Sequence, residues 1–477
     1  MKKFLCLTLS LILLLGNMTF VFAADKEKWD EYWLEDESQS GIVMFPGSDE
    51  TQRNFSWYSK TQSTPKVYVT DMTDETQTVF EGKSIKATDG DYANKVTVTG
   101  LEPGTEYEYY CVSDGYISQT YSFATAEDDS FTAMYVTDIH VSYSDEDENS
   151  LRDQSYKFNE VLEAANGREE LDLILSAGDQ ASLGLECEYK GLTSSPLSRN
   201  ITFATTIGNH DRKGVEYKYF KNMPNEQTLN INGSYIGGDY WFVKGDTLFM
   251  VMESNNGSGI DHHAFMKKAV RANKDVKWRV VMMHHDLYSG RITHRESENE
   301  LLRLVWGPMF SEFDIDLVLL GHSHYYTVSD VLYNNKIKLE TDKDAKIDNA
   351  PGTVSIVSGS INRPRNDDPD ELGLNDTVGW YYADQGDQVL YNIIDFSTDA
   401  IELKSYSYTT GEQFNSLTLT KDSQKGGHPK GIPPVYQSFV YFAGTVYQFF
   451  NNINVYSRLK DSGFDVSLFD TVFRLNK

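Results

Sequence analysis

The chain has 477 residues and a formal net charge of −28, with 43 Lys and Arg against 71 Asp and Glu. Its length predicts two or three domains, and a hydrophobic content of 40% is enough to form their cores. Nucleic-acid backbones and anionic membranes would repel so acidic a surface, so neither is expected as a partner. An anionic substrate is not excluded, because bound metal cations reverse the field locally.

The first 23 residues have the pattern of a secretory signal peptide. Two lysines follow Met1, residues 4–15 are rich in leucine, and small residues end the segment at Ala23. Such a segment is removed during export, so we expect cleavage after Ala23 and a secreted, extracellular protein. The alternative is an uncleaved anchor, but the strongly apolar part is short for a membrane span of about 20 residues. No membrane span is expected after cleavage.

Residues 24–38 are predicted to be a charged lead-in, and residues 39–126 an all-β domain. Short runs rich in Val, Tyr, Thr and Phe alternate with Gly, Asp, Asn and Pro, as in a sandwich of about seven strands. Residues 101–107, Leu-Glu-Pro-Gly-Thr-Glu-Tyr, resemble the fibronectin type III pattern, in which the tyrosine hydroxyl returns to the backbone. Cys111 and Cys187 fall in different predicted domains, so we expect both to be thiols.

Residues 128–421 alternate apolar strands with amphipathic helical stretches, near residues 151–166, 262–273 and 297–313, as in an α/β domain. Residues 422–477 are predicted to be a linker and an aromatic-rich C-terminal segment. A helix packed on the preceding domain, a partner surface and a small appendage all fit this last segment, so its role stays open.

Five apolar runs of the α/β domain each end at residues that bind metals. The runs are residues 131–137, 171–175, 201–207, 278–283 and 316–320. In open α/β sheets, ligands bind outside the carboxyl ends of the strands, so we expect these side chains to meet there. The motifs that follow the runs are Asp138-Ile-His140, Gly178-Asp179, Gly208-Asn209-His210-Asp211, His284-His285 and Gly321-His322-Ser-His324.

The residue types in these motifs indicate a metal site. Each motif alone also occurs in ordinary turns or around buried histidines. Five of them in order, each at a strand end, are a stronger signal. Imidazole, carboxylate and amide oxygen together suit borderline divalent metals or iron. Two cations about 3.5–4 Å apart, bridged by a carboxylate, can bind phosphoryl oxygens and share a hydroxide.

The five motifs resemble those of the calcineurin-like metallophosphoesterase superfamily over roughly residues 128–421. The preceding sandwich is similar to the N-terminal domain of the purple acid phosphatases. The resemblance implies a fibronectin III-like all-β sandwich followed by an α/β metallophosphoesterase domain, with two packed mixed β-sheets flanked by helices. It also implies two metal ions (Fe, Mn or Zn) and a small phosphate ester as substrate, attacked by a hydroxide that bridges the metals. A phosphomonoesterase similar to acid phosphatases is the favoured activity.

Carried over residue by residue, the resemblance implies ten site residues. Asp179 would bridge the two ions, His210 would face the leaving group, and Asp211 would hold His210. His294 stands where a substrate contact is common in the family, although a solvated loop histidine fits equally well. His284 is preferred to His285 because it directly follows its strand. The implied ligands are Asp138, His140, Asp179 and His324 at one ion, and Asp179, Asn209, His284 and His322 at the other.

Two positions depart from the purple acid phosphatase pattern. Ser182 stands where those enzymes have a metal-binding tyrosine, and His140 is an additional ligand histidine. The tyrosinate–iron colour is therefore expected to be absent, and Mn, Zn or Fe(II) become alternatives to ferric iron. Two further alternatives stay open. One is a phosphodiesterase of the same superfamily. The other, less favoured, is a binding protein associated with the cell surface that has a structural metal site.

Overall fold

The computed structural model describes residues 38–147, 149–227, 237–288, 298–366, 378–422, 438–442 and 445–446. The predicted signal peptide, almost all of the predicted lead-in and most of the predicted C-terminal segment lie outside these residues. Among the helices within them, none is both long enough and apolar enough to cross a membrane.

The first domain, the β-sandwich domain, consists of two antiparallel sheets. Its strands are β1 (Gln39–Pro46), β2 (Gln52–Ser59), β3 (Lys66–Asp71), β4 (Gln77–Glu81), β5 (Lys83–Lys86), β6 (Tyr92–Thr99), β7 (Glu106–Ser113), β8 (Tyr116–Ile117) and β9 (Tyr121–Ala124). One sheet has the order β1-β2-β6-β5 and the other β4-β3-β7-β8, with β9 also paired to β7. Burial alternates along β7, as expected for a strand with one face on the core.

The aromatic core of the sandwich explains its sequence pattern. Trp57, Tyr109 and Phe123 pack between the two sheets. The Tyr107 hydroxyl accepts a hydrogen bond of 2.8 Å from the backbone N–H of Glu102, so the predicted tyrosine corner is formed. Cys111 is buried in this domain and Cys187 is half-buried in the next one. Both are free thiols, as predicted.

The second domain, the α/β domain, contains two mixed seven-stranded sheets. Its strands are β10 (Phe131–Val136), β11 (Leu173–Ser176), β12 (Thr202–Thr205), β13 (Tyr240–Lys244), β14 (Thr247–Met252), β15 (Trp278–Met283), β16 (Leu317–Leu320), β17 (Thr327–Ser329), β18 (Val331–Tyr333), β19 (Lys336–Leu339), β20 (Ala345–Asp348), β21 (Val354–Val357), β22 (Gly379–Tyr381), β23 (Leu390–Phe396), β24 (Ala400–Ser407) and β25 (Gln413–Thr420). The first sheet has the order β12-β11-β10-β23-β24-β25-β20, and the second β13-β14-β15-β16-β21-β17-β22. Strands β18 and β19 form a separate hairpin.

Helices cover the outer faces of the two sheets. They are α1 (Ser150–Asn166), α2 (Glu186–Leu192), α3 (Tyr217–Phe220), α4 (Gly259–Ala272) and α5 (Glu298–Glu312). Helix α1 packs on the first sheet through Phe158 and Leu162, and α4 and α5 pack on the second through Phe265 and Met309. The inner faces of both sheets share one apolar core. Strands that are buried on both faces have continuous apolar sequences, so the sequence alone predicts these strands. The predicted fold class is confirmed.

The β-sandwich domain packs directly against the α/β domain. The Tyr58 hydroxyl donates a hydrogen bond of 2.8 Å to Glu216 of the α/β domain, and the Thr88 hydroxyl donates one to the other carboxylate oxygen of Glu216. Elsewhere Lys244 forms an ion pair of 2.8 Å with Glu50. Charged and hydroxyl groups from both domains therefore fix their contact.

Candidate dinuclear metal site

The predicted site residues lie where strands of both sheets end. Strands β10, β11 and β12 are parallel neighbours in the first sheet, and β15 and β16 are parallel neighbours in the second. Each motif follows the carboxyl end of one of these five strands. Because the two sheets pack face to face, the motifs of the first sheet meet those of the second.

Five of the seven predicted ligands have a left-handed backbone, which residues other than glycine rarely adopt. The φ angles are 50° at Asp138, 54° at His140, 52° at Asp179, 76° at His322 and 63° at His324. Such conformations cost about 1–3 kcal/mol each and persist only where the surroundings enforce them. Their concentration in one place is typical of a functional site.

Three motif glycines leave room for the ligands. A Cβ atom at Gly178 would lie 2.5 Å from the His284 ring, and one at Gly208 would lie 2.1 Å from Asp179 Oδ1. At Gly321 a Cβ atom would meet the Thr137 hydroxyl. The glycines of the Gly-Asp, Gly-Asn-His-Asp and Gly-His motifs therefore allow the strand ends to approach one another closely.

One donor group is formed by Asp138, His140, Asp179 and His324. His140 Nε2 lies 3.2 Å from His324 Nε2 and 3.7 Å from both Asp138 Oδ1 and Asp179 Oδ2. His324 Nε2 lies 3.2 Å from Asp138 Oδ1. That oxygen is buried and has no hydrogen bond of acceptable geometry within the part of the chain that the structure describes. A buried carboxylate oxygen facing two imidazole nitrogens fits a metal cation.

A second donor group is formed by Asp179, Asn209, His284 and His322. Asn209 Oδ1 lies 3.0 Å from His284 Nε2 and 3.0 Å from His322 Nδ1. Asp179 Oδ2 lies 3.3 Å from His284 Nε2. The same carboxylate oxygen therefore faces a histidine of each group. The structure thus brings all seven predicted ligands together, and their role as ligands stays a prediction.

Hydrogen bonds behind the two groups fix their orientation. His284 Nδ1 donates to the Ala177 carbonyl at 2.9 Å, and His324 Nδ1 donates to the Arg363 carbonyl at 2.8 Å. A neutral imidazole that donates from Nδ1 has its lone pair on Nε2, which in both rings faces the site. Asp138 Oδ2 accepts a hydrogen bond of 2.8 Å from the backbone N–H of His322. Asp179 Oδ1 accepts one of 2.7 Å from the backbone N–H of His210.

The electrostatics of the site favour ionised carboxylates and a neutral His140, whereas at His284 the nearby Asp179 overcomes the effect of burial and raises the pKa to about 9. Burial alone would raise the pKa of Asp138, but His324 and the other facing histidines hold it well below its usual range. Asp179 behaves in the same way, mainly because of His284. Burial lowers the pKa of His140 well below its ordinary value, against the pull of both carboxylates. Ionised carboxylate and neutral imidazole are the forms that bind metals.

His210 adjoins the first donor group, and its ring lies 4.7 Å from that of His140, centroid to centroid. Its Nδ1 atom lies 2.9 Å from the Ser182 carbonyl and 2.6 Å from Lys213 Nζ. Burial lowers the pKa of His210, Asp179 opposes this shift, and the nearby Lys213 adds to it.

The predicted contact between Asp211 and His210 is wrong. Asp211 accepts hydrogen bonds from the N–H groups of Ala181 and Gly208, at 3.0 and 2.8 Å, and from the Tyr189 hydroxyl at 2.9 Å. His210 precedes the 3-10 turn Asp211–Lys213, and its Nδ1 atom faces the Ser182 carbonyl. Asp211 therefore ties together two of the metal-site loops. His294 lies outside the described residues.

Arg363 is a neighbour of the site that the motifs did not reveal, and it contacts Ser182, which stands at the position of the family's tyrosine. Arg363 Nη2 donates to the Ser182 hydroxyl at 2.9 Å, and this hydroxyl lies 3.4 Å from His140 Nδ1. His285 packs on His322 at 4.7 Å between ring centroids, and its Nδ1 lies 2.8 Å from the Ser254 hydroxyl. Arg363 follows β21 in a polar segment without any motif, so only its position in the fold identifies it.

Comparison with known proteins agrees with this architecture. Residues 131–326 match the family model of the calcineurin-like phosphoesterases. Residues 39–125 match the family model of the purple acid phosphatase N-terminal domain. The chain therefore carries a calcineurin-like phosphoesterase domain. In front of it stands a domain that matches the purple acid phosphatase N-terminal domain.

Two curated relatives illustrate the similarity in sequence. Purple acid phosphatase 1 of Ipomoea batatas is 27% identical over 164 residues, which cover 32% of this chain and 34% of the relative. Fe(3+)-Zn(2+) purple acid phosphatase 12 of Arabidopsis thaliana is 26% identical over 143 residues, which cover 27% and 30%. The chain thus spans about a third of the length of the curated relatives it matches.

Two solved structures have a similar fold. The purple acid phosphatase PPD1 from yellow lupin (Lupinus luteus) seeds matches with a TM-score of 0.61 and 14% identity, over 81% of this chain and 75% of its own. A structure of PhoD matches with a TM-score of 0.53 and 12% identity, over 86% of this chain and 97% of its own. At these identities the likeness concerns the fold.

Proposed function

We propose that this protein is a secreted phosphoesterase with two metal ions that hydrolyses small phosphate monoesters, as acid phosphatases do. The observation that carries the proposal is the position of Asp179. Its Oδ2 atom lies 3.7 Å from His140 Nε2 and 3.3 Å from His284 Nε2, between the two donor groups. A carboxylate shared in this way is the bridge that a pair of cations requires.

The donor set fits a metal pair of iron, manganese or zinc. It combines imidazole, carboxylate and amide oxygen, and it contains a buried carboxylate oxygen, Asp138 Oδ1, that faces two imidazoles. When bound, two such ions lower the pKa of a coordinated water and neutralise the phosphoryl oxygens.

The residues of the chain supply the remaining steps. The carbonyl groups of Ala177 and Arg363 hold His284 and His324 with their Nε2 atoms toward the site. His210 accompanies the leaving group: its Nδ1 atom lies 2.9 Å from the Ser182 carbonyl, which leaves Nε2 to act on the departing oxygen as an acid or an electrostatic stabiliser.

The preference for monoesters is supported by similarity to proteins named purple acid phosphatases. A diesterase of the same superfamily is the alternative. Hydrolysis of an aryl phosphate and of the matching bis-aryl phosphate separates the two. A higher kcat/KM for the monoester supports the proposal, and a higher value for the diester contradicts it.

Secretion is supported by the signal-peptide pattern of residues 1–23. N-terminal sequencing of the mature protein from the culture medium tests it. The expected first residue is Ala24, and retention of residues 1–23 on a membrane-bound protein would contradict the proposal.

The test of the activity itself is metal analysis combined with chelation. We expect two equivalents of metal per chain, loss of phosphate release with EDTA, and recovery with Mn²⁺ or Zn²⁺. Full activity in a protein shown to be free of metal would exclude the proposed reaction.

A further inference from the structure

Helix α2 lies between the β-sandwich domain and the loops of the metal site. On one side Lys190 forms an ion pair of 2.7 Å with Asp91 of the β-sandwich domain. On the other side Glu188 accepts hydrogen bonds from the backbone N–H groups of Tyr143 and Leu183, at 3.0 and 2.9 Å. These N–H groups belong to the loops that follow the first two motifs of the site. The same helix therefore contacts both the β-sandwich domain and the site.

A chain of buried aromatic rings also runs from the β-sandwich domain to α2. Phe45 of β1 packs edge-on against Phe220 of α3, with 5.2 Å between the ring centroids. Phe220 stacks on Tyr189 of α2 at 4.7 Å, with 22° between the ring planes. The three side chains are at most 1% exposed and belong to one apolar core. Because closely packed rings cannot shift independently, the position of the Tyr189 ring depends on the β-sandwich domain.

The Tyr189 hydroxyl ends this chain at Asp211. It donates a hydrogen bond of 2.9 Å to Asp211 Oδ1, which also accepts one of 3.0 Å from the N–H of Ala181. Asp211 Oδ2 accepts a hydrogen bond of 2.8 Å from the N–H of Gly208. Burial and the charge of Asp211 raise the pKa of Tyr189 well above its ordinary value, so the hydroxyl remains a donor at neutral pH. Tyr189 therefore holds the carboxylate that joins the loop of the second motif to that of the third.

We propose that Tyr189 is a positioning residue through which the β-sandwich domain sets the separation of the loops that carry Asp179 and Asn209. Ala181 follows Asp179 by two residues, and Gly208 directly precedes Asn209. A shift of the Tyr189 ring moves the carboxylate that links these loops, and with it the two donor side chains. The inference rests on the proposed function in taking both side chains as metal ligands. It gives the β-sandwich domain a role in the reaction that does not require contact with the substrate.

Two variants interrupt the chain of contacts at different points. Tyr189→Phe keeps the ring and removes only the hydroxyl. Phe45→Leu removes the edge-on ring contact from the side of the β-sandwich domain. The matched controls are Tyr107→Phe and Phe123→Leu, which make the same replacements at buried rings in the β-sandwich domain's own core. Both controls should lower the free energy of unfolding and leave the metal site unchanged.

A hydrogen bond to a charged group changes an equilibrium by about tenfold or more. We therefore expect Tyr189→Phe to bind Mn²⁺ or Zn²⁺ about tenfold more weakly in competition with a chelator. In the fully metal-loaded variant, kcat for phenyl phosphate should fall by about tenfold while KM is unchanged. Phe45→Leu should lower metal affinity and kcat by about threefold each, as expected for one lost aromatic contact. A Tyr189→Phe variant that loses stability but keeps metal affinity and kcat would overturn the inference.

The double variant distinguishes a chain of contacts from two separate effects. In the proposal Phe45 acts through the Tyr189 hydroxyl, so adding Phe45→Leu to Tyr189→Phe should not lower metal affinity any further. Separate effects would multiply to about thirtyfold, and that result would contradict a role of the β-sandwich domain through Tyr189.

Amide hydrogen exchange gives a readout that does not require turnover. The N–H groups of Ala181 and Gly208 should exchange faster in Tyr189→Phe than in Tyr107→Phe, under conditions in which both variants are folded. If the changes in metal affinity and exchange are found without any hydrolysis, the proposed function fails and the inference stands. If hydrolysis is found and Tyr189→Phe behaves as Tyr107→Phe does, the inference fails and the proposed function stands.

Discussion

Asp179 Oδ2 and His284 Nε2 lie 3.3 Å apart although they come from different sheets of the α/β domain. Asp179 follows β11 of the first sheet, and His284 follows β15 of the second. Their contact is possible because Gly178 places no side chain where the His284 ring lies. The proposed metal site is therefore also a junction between the two sheets, so changes at the site are expected to affect both chemistry and stability.

The first prediction concerns Asp179→Asn. The amide cannot supply the bridging negative charge, so metal content should fall below two equivalents per chain. Mutation of a residue that hydrogen-bonds to a metal ligand typically lowers activity by roughly 10–100-fold, and loss of the bridging ligand itself should lower it further. Metal analysis and steady-state kinetics measure the two effects. Asp399→Asn, at an exposed turn, is the control, and wild-type metal content in the Asp179 variant would contradict the bridging role.

The second prediction concerns His210→Ala. His210 is proposed to act on the leaving group and not on a metal, so both metal equivalents should remain while kcat falls by about 10²–10⁴-fold. Substrates with good leaving groups should be affected less than alkyl phosphates. A loss of metal in this variant would show that His210 is a ligand instead.

The third prediction concerns Asp211→Asn, which tests the corrected role of this residue. The amide nitrogen that replaces one carboxylate oxygen cannot accept a hydrogen bond, so the variant loses either the bond from Gly208 to Oδ2 or the bonds from Ala181 and Tyr189 to Oδ1. We expect the free energy of unfolding to decrease by about 1–3 kcal/mol and metal to bind more weakly. Denaturant titration with and without metal measures both. Unchanged stability together with the kinetic defect of the His210 variant would instead support a direct pairing of the two residues.

The fourth prediction concerns pH and Glu216, which joins the two domains through Tyr58 and Thr88. Burial raises the pKa of Glu216 from 4.5 to about 7, and the nearby Glu186 adds to this. The folded state therefore retains a proton that the unfolded state releases, so this contribution to stability is present below pH 4.5 and is lost as the pH rises to 7. Glutamine has no proton to release in this range. Between pH 4.5 and 7 the free energy of unfolding of Glu216→Gln should therefore decrease by up to about 3 kcal/mol less than that of the unmodified protein.

Denaturant titrations between pH 4.5 and 8 measure that change. In the variant the free energy of unfolding should still decrease as the pH rises, because burial also raises the pKa of Glu253 to about 7. An unaltered pH profile in Glu216→Gln would exclude a protonated Glu216 at the domain contact.

The fifth prediction concerns colour. Ser182, which lies beside His140 and Arg363, has no phenolate to offer. The protein loaded with ferric iron should therefore show no tyrosinate-to-iron charge-transfer band in the visible spectrum. Titration with iron under aerobic conditions, with a spectrum taken at each step, measures this. A purple protein would mean that a tyrosine from elsewhere in the chain reaches the metal.

The seven proposed ligands could be found from the sequence because each lies within four residues of the end of an apolar strand. The parallel order of β10, β11 and β12 then brings their ends together without further information. The orientation of Asp211 could not be found in this way, because adjacent residues of a turn diverge by an amount that depends on their neighbours. Arg363 was equally inaccessible, since its contact with Ser182 joins residues 181 positions apart.

The left-handed backbone at Asp138, His140, Asp179, His322 and His324 bears on how such a protein should be altered in the laboratory. Asparagine tolerates this conformation far better than alanine or branched residues do. An alanine scan of the centre would therefore mix loss of a donor atom with relaxation of the loop that presents it. Replacement by asparagine keeps the loop in shape, so a series built on that residue isolates the loss of a carboxylate charge or an imidazole, while its amide oxygen stays available to a metal as proposed for Asn209.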